Sequence, residues 1–167
     1  MRNDGVSNPN KPVEVASFEK LADEFHRRVS RIVYCTVATV APDGSPRTRI
    51  LHPLWEGSTG WIATTRSGLK ARHLAREPRV SLTYWDPAHD VVSVKALAGW
   101  VDDPEVNERV WNLFRATPPP YGYDPAEFWP SGPRNAPFGV LRLEPTRVEI
   151  TGLASSPAPK MVWRRGQ

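Results

Sequence analysis

The chain has 167 residues, of which 40% are hydrophobic and 24% are charged, a composition typical of one globular domain and not of a disordered chain. Its longest apolar runs fall short of the ~20 residues that a membrane-spanning helix needs, and its one cysteine, Cys35, excludes an internal disulfide framework and a multi-cysteine metal site. The net charge of +4, carried mainly by arginine, favours an anionic partner: nucleic acid, a phosphorylated cofactor or an acidic protein.

The N-terminal part of the sequence predicts a flexible arm, a helix and a β-hairpin. Residues 1–16 are polar and lack the apolar core of a secretory signal, so we expect a flexible arm on a cytoplasmic protein. Apolar residues at helical spacing follow Ser17, a candidate N-cap, and predict a helix over 17–30. The β-branched run 32–40 and the segment 45–55 flank the turn sequence APDG, which predicts two paired strands.

The middle of the chain predicts a strand, a short helix and two further strands. Residues 60–65 form the third predicted strand, and residues 67–77 form a helix that ends before Pro78. A fourth strand over 79–85 precedes a turn, and a long fifth strand covers 89–101.

The last third of the chain predicts one more helix and the strands that complete the sheet. Residues 103–116 form a helix with an acidic first turn. The proline-rich segment 117–137 is too long for a simple connection, so we expect a lid, a flap or a subunit contact. Residues 138–151 predict two closing strands interrupted near Pro145, followed by a C-terminal tail over 154–167.

The predicted strands follow one another in the sequence with few helices between them. This order favours an antiparallel sheet over alternating β-α units. Closure of that sheet into a barrel would remove its exposed edges. We therefore expect one mainly β domain over residues 17–153.

The segment TTRSGLK carries cations at the start of the second predicted helix, where the helix dipole disfavours each of them by roughly 0.3–1 kcal/mol. A bound phosphate would reverse this effect, because it accepts from free N–H groups, hydroxyls and a lysine together. Lys70 can lean back towards Thr64 and Thr65 at the end of the preceding strand. The alternative is that Ser67 only caps the helix, while Arg66 and Lys70 face solvent.

Two arginines of the preceding hairpin help to decide between a phosphate site and a simple helix cap. Arg47 and Arg49 share one face of an extended strand. On a solvent face they are ordinary edge charges, whereas in a cleft they require an anion. The hairpin order brings Thr64 close to Arg49, so the two segments together predict one phosphate site.

No catalytic residue and no metal site are predicted. The acidic residues of the chain fit turns and helix starts, and they form no catalytic pair. His52 is interpreted as a structural histidine of a strand. His26, His73 and His89 show no metal-ligand spacing with one another or with Cys35.

The sequences DGSPRTRILHPLW and GWIATTRSGLKARHLAREPRVSLTYW, followed by a long strand, resemble the flavin-binding split-barrel family of the pyridoxamine 5′-phosphate oxidases. The resemblance covers roughly residues 30–150. It implies a six-stranded antiparallel split β-barrel with peripheral helices, and a homodimer that holds FMN at the subunit interface. By motif it implies cofactor binding by Arg49, Ile50 and Leu51 on a strand, by Thr64 and Thr65 at a strand end, and by Ser67 and Lys70 in the phosphate loop.

The chain also departs from the vitamin B6 oxidases of that family. They pair an arginine with the lysine of the phosphate loop, whereas this chain has Leu69 beside Lys70, so Arg47 or Arg66 would supply the missing contact. Their C-terminal arginine and histidine motif is absent from MVWRRGQ, so pyridoxamine phosphate is not the expected substrate. The resemblance extends to relatives that use the deazaflavin F420, whose acidic tail suits the excess of arginine.

The expected function is that of an FMN-dependent oxidoreductase that transfers a hydride between the flavin and a small substrate. An F420-dependent reductase on the same fold is the first alternative. A non-enzymatic flavin carrier or sensor is the second. A nucleic-acid-binding small barrel is the third, because aromatic and basic residues also suit single strands; no strand, however, alternates them.

Overall fold

The structure, a computed structural model, describes residues 12–152 and 160–166. Its strands are β1 (Val13–Glu14), β2 (Cys35–Val40), β3 (Pro46–Leu51), β4 (Leu54–Glu56), β5 (Thr59–Thr65), β6 (Arg79–Trp85), β7 (Val91–Trp100), β8 (Phe138–Thr151) and β9 (Met161–Arg164). Its helices are α1 (Ala22–Ile32), α2 (Leu69–Arg76) and α3 (Pro104–Ala116), with 3₁₀ turns at Phe18–Lys20 and Pro125–Glu127. The three predicted helices are thus confirmed.

One mixed sheet contains all of these strands. The order is β1-β9-β8-β7-β6-β2-β3, and β5 pairs with β8 and with β4. Every pair is antiparallel except β1 with β9. The structure confirms the mainly β split barrel with peripheral helices, in which six of the strands match the predicted ones.

The expected closure of the sheet is wrong. Among the described residues, β3 pairs only with β2, because the short strand β4 occupies the first half of the β5 edge that β3 would need. The second half of β5 faces β3 across a small cavity that Leu51 and Ile62 line. We call this unpaired gap between β3 and β5 the seam.

Two strand predictions are wrong in detail, and proline accounts for both. The strand expected over 45–55 is divided into β3 and β4 by residues 52–53, because Pro53 has no N–H for the ladder. The two strands expected around Pro145 are the single strand β8. Pro145 lies opposite Ala96 at a register shift in β7, and such an irregularity is where a strand tolerates proline.

The two ends of the chain meet at one edge of the sheet. Strand β1 belongs to the predicted arm 1–16, and β9 belongs to the predicted tail 154–167. Residues 1–11 and 153–159 lie outside the described residues, as does Gln167. Within the described parts of the chain, no helix combines the length and the apolar character that crossing a membrane requires.

Two apolar cores hold the helices against the sheet. The larger core fills the barrel and covers one face of α1; β6 contributes Val80, Leu82 and Tyr84, which alternate with exposed residues. The smaller core lies between α3 and the pair β5–β8, with Phe114 and Val140 both fully buried. Helix α2 packs against β2, and its residues Lys70 and Leu74 line the small cavity at the seam.

Candidate cofactor site

Arg49 and Lys70 lie on the same side of the molecule and line the same small cavity at the seam. The Lys70 Nζ donates a hydrogen bond to Thr64 Oγ1 over 2.7 Å. The Arg49 Nη1 donates to Thr39 Oγ1 over 2.9 Å. The structure therefore brings together the two segments from which the sequence predicted one site.

The strand register and a glycine turn place these cations. Arg49 lies opposite Val37, and paired residues of neighbouring strands point to the same face, so Arg49 points into the barrel end. After β5 the chain passes through Gly68, whose φ of +100° favours glycine, and α2 then begins at Leu69. Lys70 thus lies in the first turn of the helix, beside backbone N–H groups without intrahelical partners.

Arg49 and Lys70 carry positive charge at the site, and neither forms an ion pair with a carboxylate of the described residues. Burial, and then the nearby Arg49, lower the pKa of Lys70. Burial, and then the nearby Arg47, lower the pKa of Arg49. None of the ion pairs of the described residues includes these three cations. Half-buried cations without carboxylates fit a phosphate, because an anion removes the repulsion between them.

Arg49, Lys70 and Thr64 form a cluster of polar side chains that also includes Thr39 and His73. These last two residues were not predicted from the sequence. Their side chains are buried, with exposed fractions of 2% and 4%, and Thr39 Oγ1 lies 3.0 Å from His73 Nδ1. The i, i+3 spacing of Lys70 and His73 on one helix was an available signal for His73. Nothing in the sequence pairs α2 with the end of β2.

Arg66 points to other partners. It forms an ion pair with Asp102 and donates to the Val101 carbonyl over 3.2 Å. Its guanidinium carbon lies 5.5 Å from the Trp100 ring centre. A Cβ at Gly139 would lie 3.0 Å from the Arg66 Cβ, so the small residue leaves room for this packing. The charge of Arg66 already has a partner, in contrast to Arg49 and Lys70.

The remaining predicted site residues surround the cluster. Ser67 is exposed and does not cap α2: the N-cap is Gly68, without a side-chain hydrogen bond. The capping alternative is therefore wrong. Arg47 is exposed, next to Arg49 on the same face of β3, and Ile50 points outwards with 64% of its surface exposed.

An aromatic pocket adjoins the cluster. Leu51 lines both the small cavity and this pocket of about 370 Å³. The 117–137 segment supplies one wall and is fixed to the barrel, since Trp129 Nε1 donates to Thr65 Oγ1 over 3.3 Å. The aromatic side chains of the pocket are Tyr34, His52, Tyr123, Phe128 and Trp129.

His52 is a partly buried member of this pocket. Burial lowers its pKa, and its Nε2 lies 2.8 Å from the Tyr121 carbonyl oxygen, which accepts the Nε2 proton. In turn, the Tyr121 hydroxyl accepts from the backbone N–H of Trp55 over 3.0 Å. The proline-rich segment is therefore a packed wall of the pocket, and His52 anchors it as a structural residue.

Comparison with known proteins assigns the family. Residues 21–152 match the sequence profile described as pyridoxamine 5′-phosphate oxidase. No curated protein matches at a significant level. Among solved structures, a pyridoxamine 5′-phosphate oxidase-related, FMN-binding protein from Nostoc punctiforme is 18% identical, with a TM-score of 0.65 over 92% of this chain and 93% of that chain.

Two further structures share the fold. A conserved hypothetical protein from Mycobacterium tuberculosis is 26% identical, with a TM-score of 0.60 over 83% of this chain and 86% of that chain. An F420 reductase is 21% identical, with a TM-score of 0.53 over 74% of this chain and 94% of that chain. Because the profile match extends over residues 21–152, this chain belongs to the pyridoxamine 5′-phosphate oxidase family.

Proposed function

We propose that the protein is an FMN-dependent oxidoreductase that transfers a hydride between the flavin and a small substrate. The observation that carries the proposal is the pair Arg49 and Lys70, which line one cavity without a carboxylate partner among the described residues. Membership of a family with an FMN-binding structural relative supports the choice of ligand.

The chain's own residues would hold the cofactor. FMN supplies the redox chemistry when it is bound. Arg49, Lys70 and the Thr64 hydroxyl, together with the N–H groups of the first turn of α2, would bind its phosphate. Arg47 is close enough to Arg49 to add to the local potential. The aromatic pocket next to Leu51 suits a flat ring, because aromatic walls exclude water and stack on such rings.

The remaining residues implied by the resemblance have smaller roles in this proposal. Thr65 orients Trp129 at the pocket wall through the hydrogen bond to its indole. Ser67 is free to donate to a phosphate oxygen, because it caps no helix. Arg66, paired with Asp102, would contribute only after that ion pair breaks.

We also propose a homodimer that covers the aromatic pocket. Tyr34, Ile50 and Phe128 all line this pocket, and they are exposed by 60%, 64% and 65%. A cluster of large apolar side chains around a binding pocket is typical of a protein interface. A second copy seated there would complete the wall of the cofactor site.

A dependence on F420 is the second candidate. An F420 reductase shares the fold, and the exposed Arg47 beside the cluster suits a cofactor with additional acidic groups. In this case the same cations would bind the phosphate of the deazaflavin.

Binding measurements on the full-length protein test these proposals. We expect an FMN absorption spectrum in the purified protein, and FMN binding at least about tenfold tighter than riboflavin binding, because only FMN carries the phosphate. Tight binding of F420 with no binding of FMN would replace the first candidate by the second.

Bound flavin that accepts electrons but reduces no small acceptor would indicate a carrier. Salt-dependent binding of oligonucleotides in competition with FMN would favour the nucleic-acid-binding alternative.

A further inference from the structure

Two connected hydrogen bonds, from Arg49 to Thr39 and between Thr39 and His73, lie next to the proposed phosphate site, and we call this chain of three side chains the relay. Thr39 Oγ1 accepts from Arg49 Nη1 over 2.9 Å and lies 3.0 Å from His73 Nδ1. Both Thr39 and His73 are almost completely buried, so water does not substitute freely for either partner. The relay connects β3, β2 and α2, the three elements that converge at one end of the seam.

The position of the Thr39 proton decides what the relay does. A guanidinium only donates, so Thr39 must accept from Arg49. If His73 Nδ1 also donated to Thr39, the hydroxyl proton would be left with the Arg47 carbonyl oxygen at 3.5 Å, a poor hydrogen bond. If Thr39 donates to an unprotonated His73 Nδ1, the Thr39 hydroxyl both accepts from Arg49 and donates to His73 over distances of 3.0 Å or less.

We infer that His73 is a positioning residue, which fixes the Thr39 hydroxyl as the acceptor that orients Arg49 towards the cofactor phosphate. This inference rests on the proposed binding of a phosphorylated cofactor. A guanidinium presents its donors in a rigid fork, and fixing one Nη1–H on Thr39 determines where the other donors point. Unprotonated at Nδ1, His73 gives this orientation without a further positive charge beside Arg49 and Lys70.

The alternative is a purely structural pair in which Thr39 and His73 only attach α2 to β2. Such a pair would stabilise the fold equally with or without a phosphate on the ligand. A positioning role instead predicts an effect that depends on the phosphate and on Arg49. Two experiments separate these possibilities.

The first experiment requires no variant. We expect the ¹⁵N chemical shifts of the His73 imidazole, measured on the full-length protein at about pH 8.5, above the usual imidazole pKa range, to show a proton on Nε2 and none on Nδ1. A proton on Nδ1 would overturn the inference, because His73 would then compete with Arg49 as a second donor to Thr39.

The second experiment compares FMN with riboflavin in a set of variants. Thr39→Val should weaken FMN binding about tenfold and leave riboflavin binding unchanged, since a hydrogen bond to a charged group is lost. His73→Leu should act in the same direction. His73→Asn should stay within about threefold of the wild type, because the Asn Oδ1 also accepts.

One control tests whether any substitution on strand β2 weakens binding, and a second tests whether the effect of Thr39 depends on Arg49. Thr36→Val, on the outward face of the same strand, should change neither affinity. In an Arg49→Met background, Thr39→Val should have no further effect on FMN binding. Equal losses for FMN and riboflavin, or a loss that adds to that of Arg49→Met, would overturn the inference alone. A wild-type protein that binds neither FMN nor F420 would overturn the proposed function and, with it, the inference.

Discussion

Lys70 carries its charge at a place where the folded protein disfavours it. Burial and the nearby Arg49 lower its pKa, whereas in the unfolded chain the pKa returns to the usual value near 10.4. Between these two pKa values the folded protein binds fewer protons than the unfolded chain. The free energy of unfolding of the ligand-free protein therefore includes a contribution that rises with pH through this window.

Lys70→Met should remove this pH dependence. We expect the stability of the wild type, relative to Lys70→Met, to increase in denaturant titrations as the pH rises from neutrality towards the usual lysine pKa, because only the wild type has this group to deprotonate. Saturating inorganic phosphate should reduce the increase, since an anion favours the charged lysine. Arg72→Met, an exposed cation of the same helix, should behave as the wild type. A constant difference between wild type and Lys70→Met would contradict this account.

The sequence was sufficient to predict some of these contacts and not others. Lys70 could be connected to Thr64 because a helical side chain leans towards the N-terminus of its helix, which is a local rule. Thr39 and His73 were missed because their contact joins a strand to a helix 34 positions later. Such a contact depends on tertiary packing, which spacing alone does not encode.

Helix α1 contributes a buried arginine, Arg28, that hydrogen-bonds to the backbone of the sheet. Arg28 is fully buried. Its Nε donates to Glu24 over 2.6 Å, and its Nη1 donates to the Val91 carbonyl oxygen over 3.1 Å and to that of Thr151. These carbonyls belong to β7 and β8, so the side chain ties one helix to two neighbouring strands.

Replacement of Arg28 should therefore be costly. We expect Arg28→Met to lower the free energy of unfolding by about 3–5 kcal/mol, because Glu24 and the two carbonyls lose a buried partner. Arg27→Met is the matched control: this half-exposed neighbour also pairs with Glu24, yet it should cost less than ~1 kcal/mol. Chemical denaturation of both variants gives the comparison, and similar losses would contradict the assigned role of Arg28.

The observed boundaries of the strands and helices show which of them the sequence pattern could predict and which it could not. The predicted strands over 79–85 and 89–101 correspond closely to β6 and β7, in each of which one face is buried. The interruption expected at Pro145 failed, because the shifted register opposite Ala96 tolerates a residue without an N–H. The N-cap assignment of Ser67 failed because the chain turns through the positive φ of Gly68 one residue later.

At the scale of the whole molecule, the exposed side chains of Tyr34, Ile50 and Phe128 line the aromatic pocket of the proposed site, where we expect a second copy to bind. Ile50→Glu should weaken self-association by about 30-fold or more, because a charge in the centre of an apolar interface stays unpaired. Sedimentation analysis over a concentration series provides the measurement. Leu97→Glu places the same charge at an exposed apolar position outside the aromatic pocket and should leave self-association unchanged. Concentration-independent monomers of the wild type would rule out the homodimer.

The unpaired seam between β3 and β5 has a consequence for how this architecture can vary. In a barrel that is closed by hydrogen bonds between all neighbouring strands, a larger interior requires that one hydrogen-bond ladder is broken and its strands pair in a new register. Here the two edges are not hydrogen-bonded to each other and side chains line the small cavity between them, so substitutions at a few positions can widen or narrow the opening while every ladder stays intact. A scaffold of this kind can exchange one bulky ligand for another during evolution without refolding its sheet.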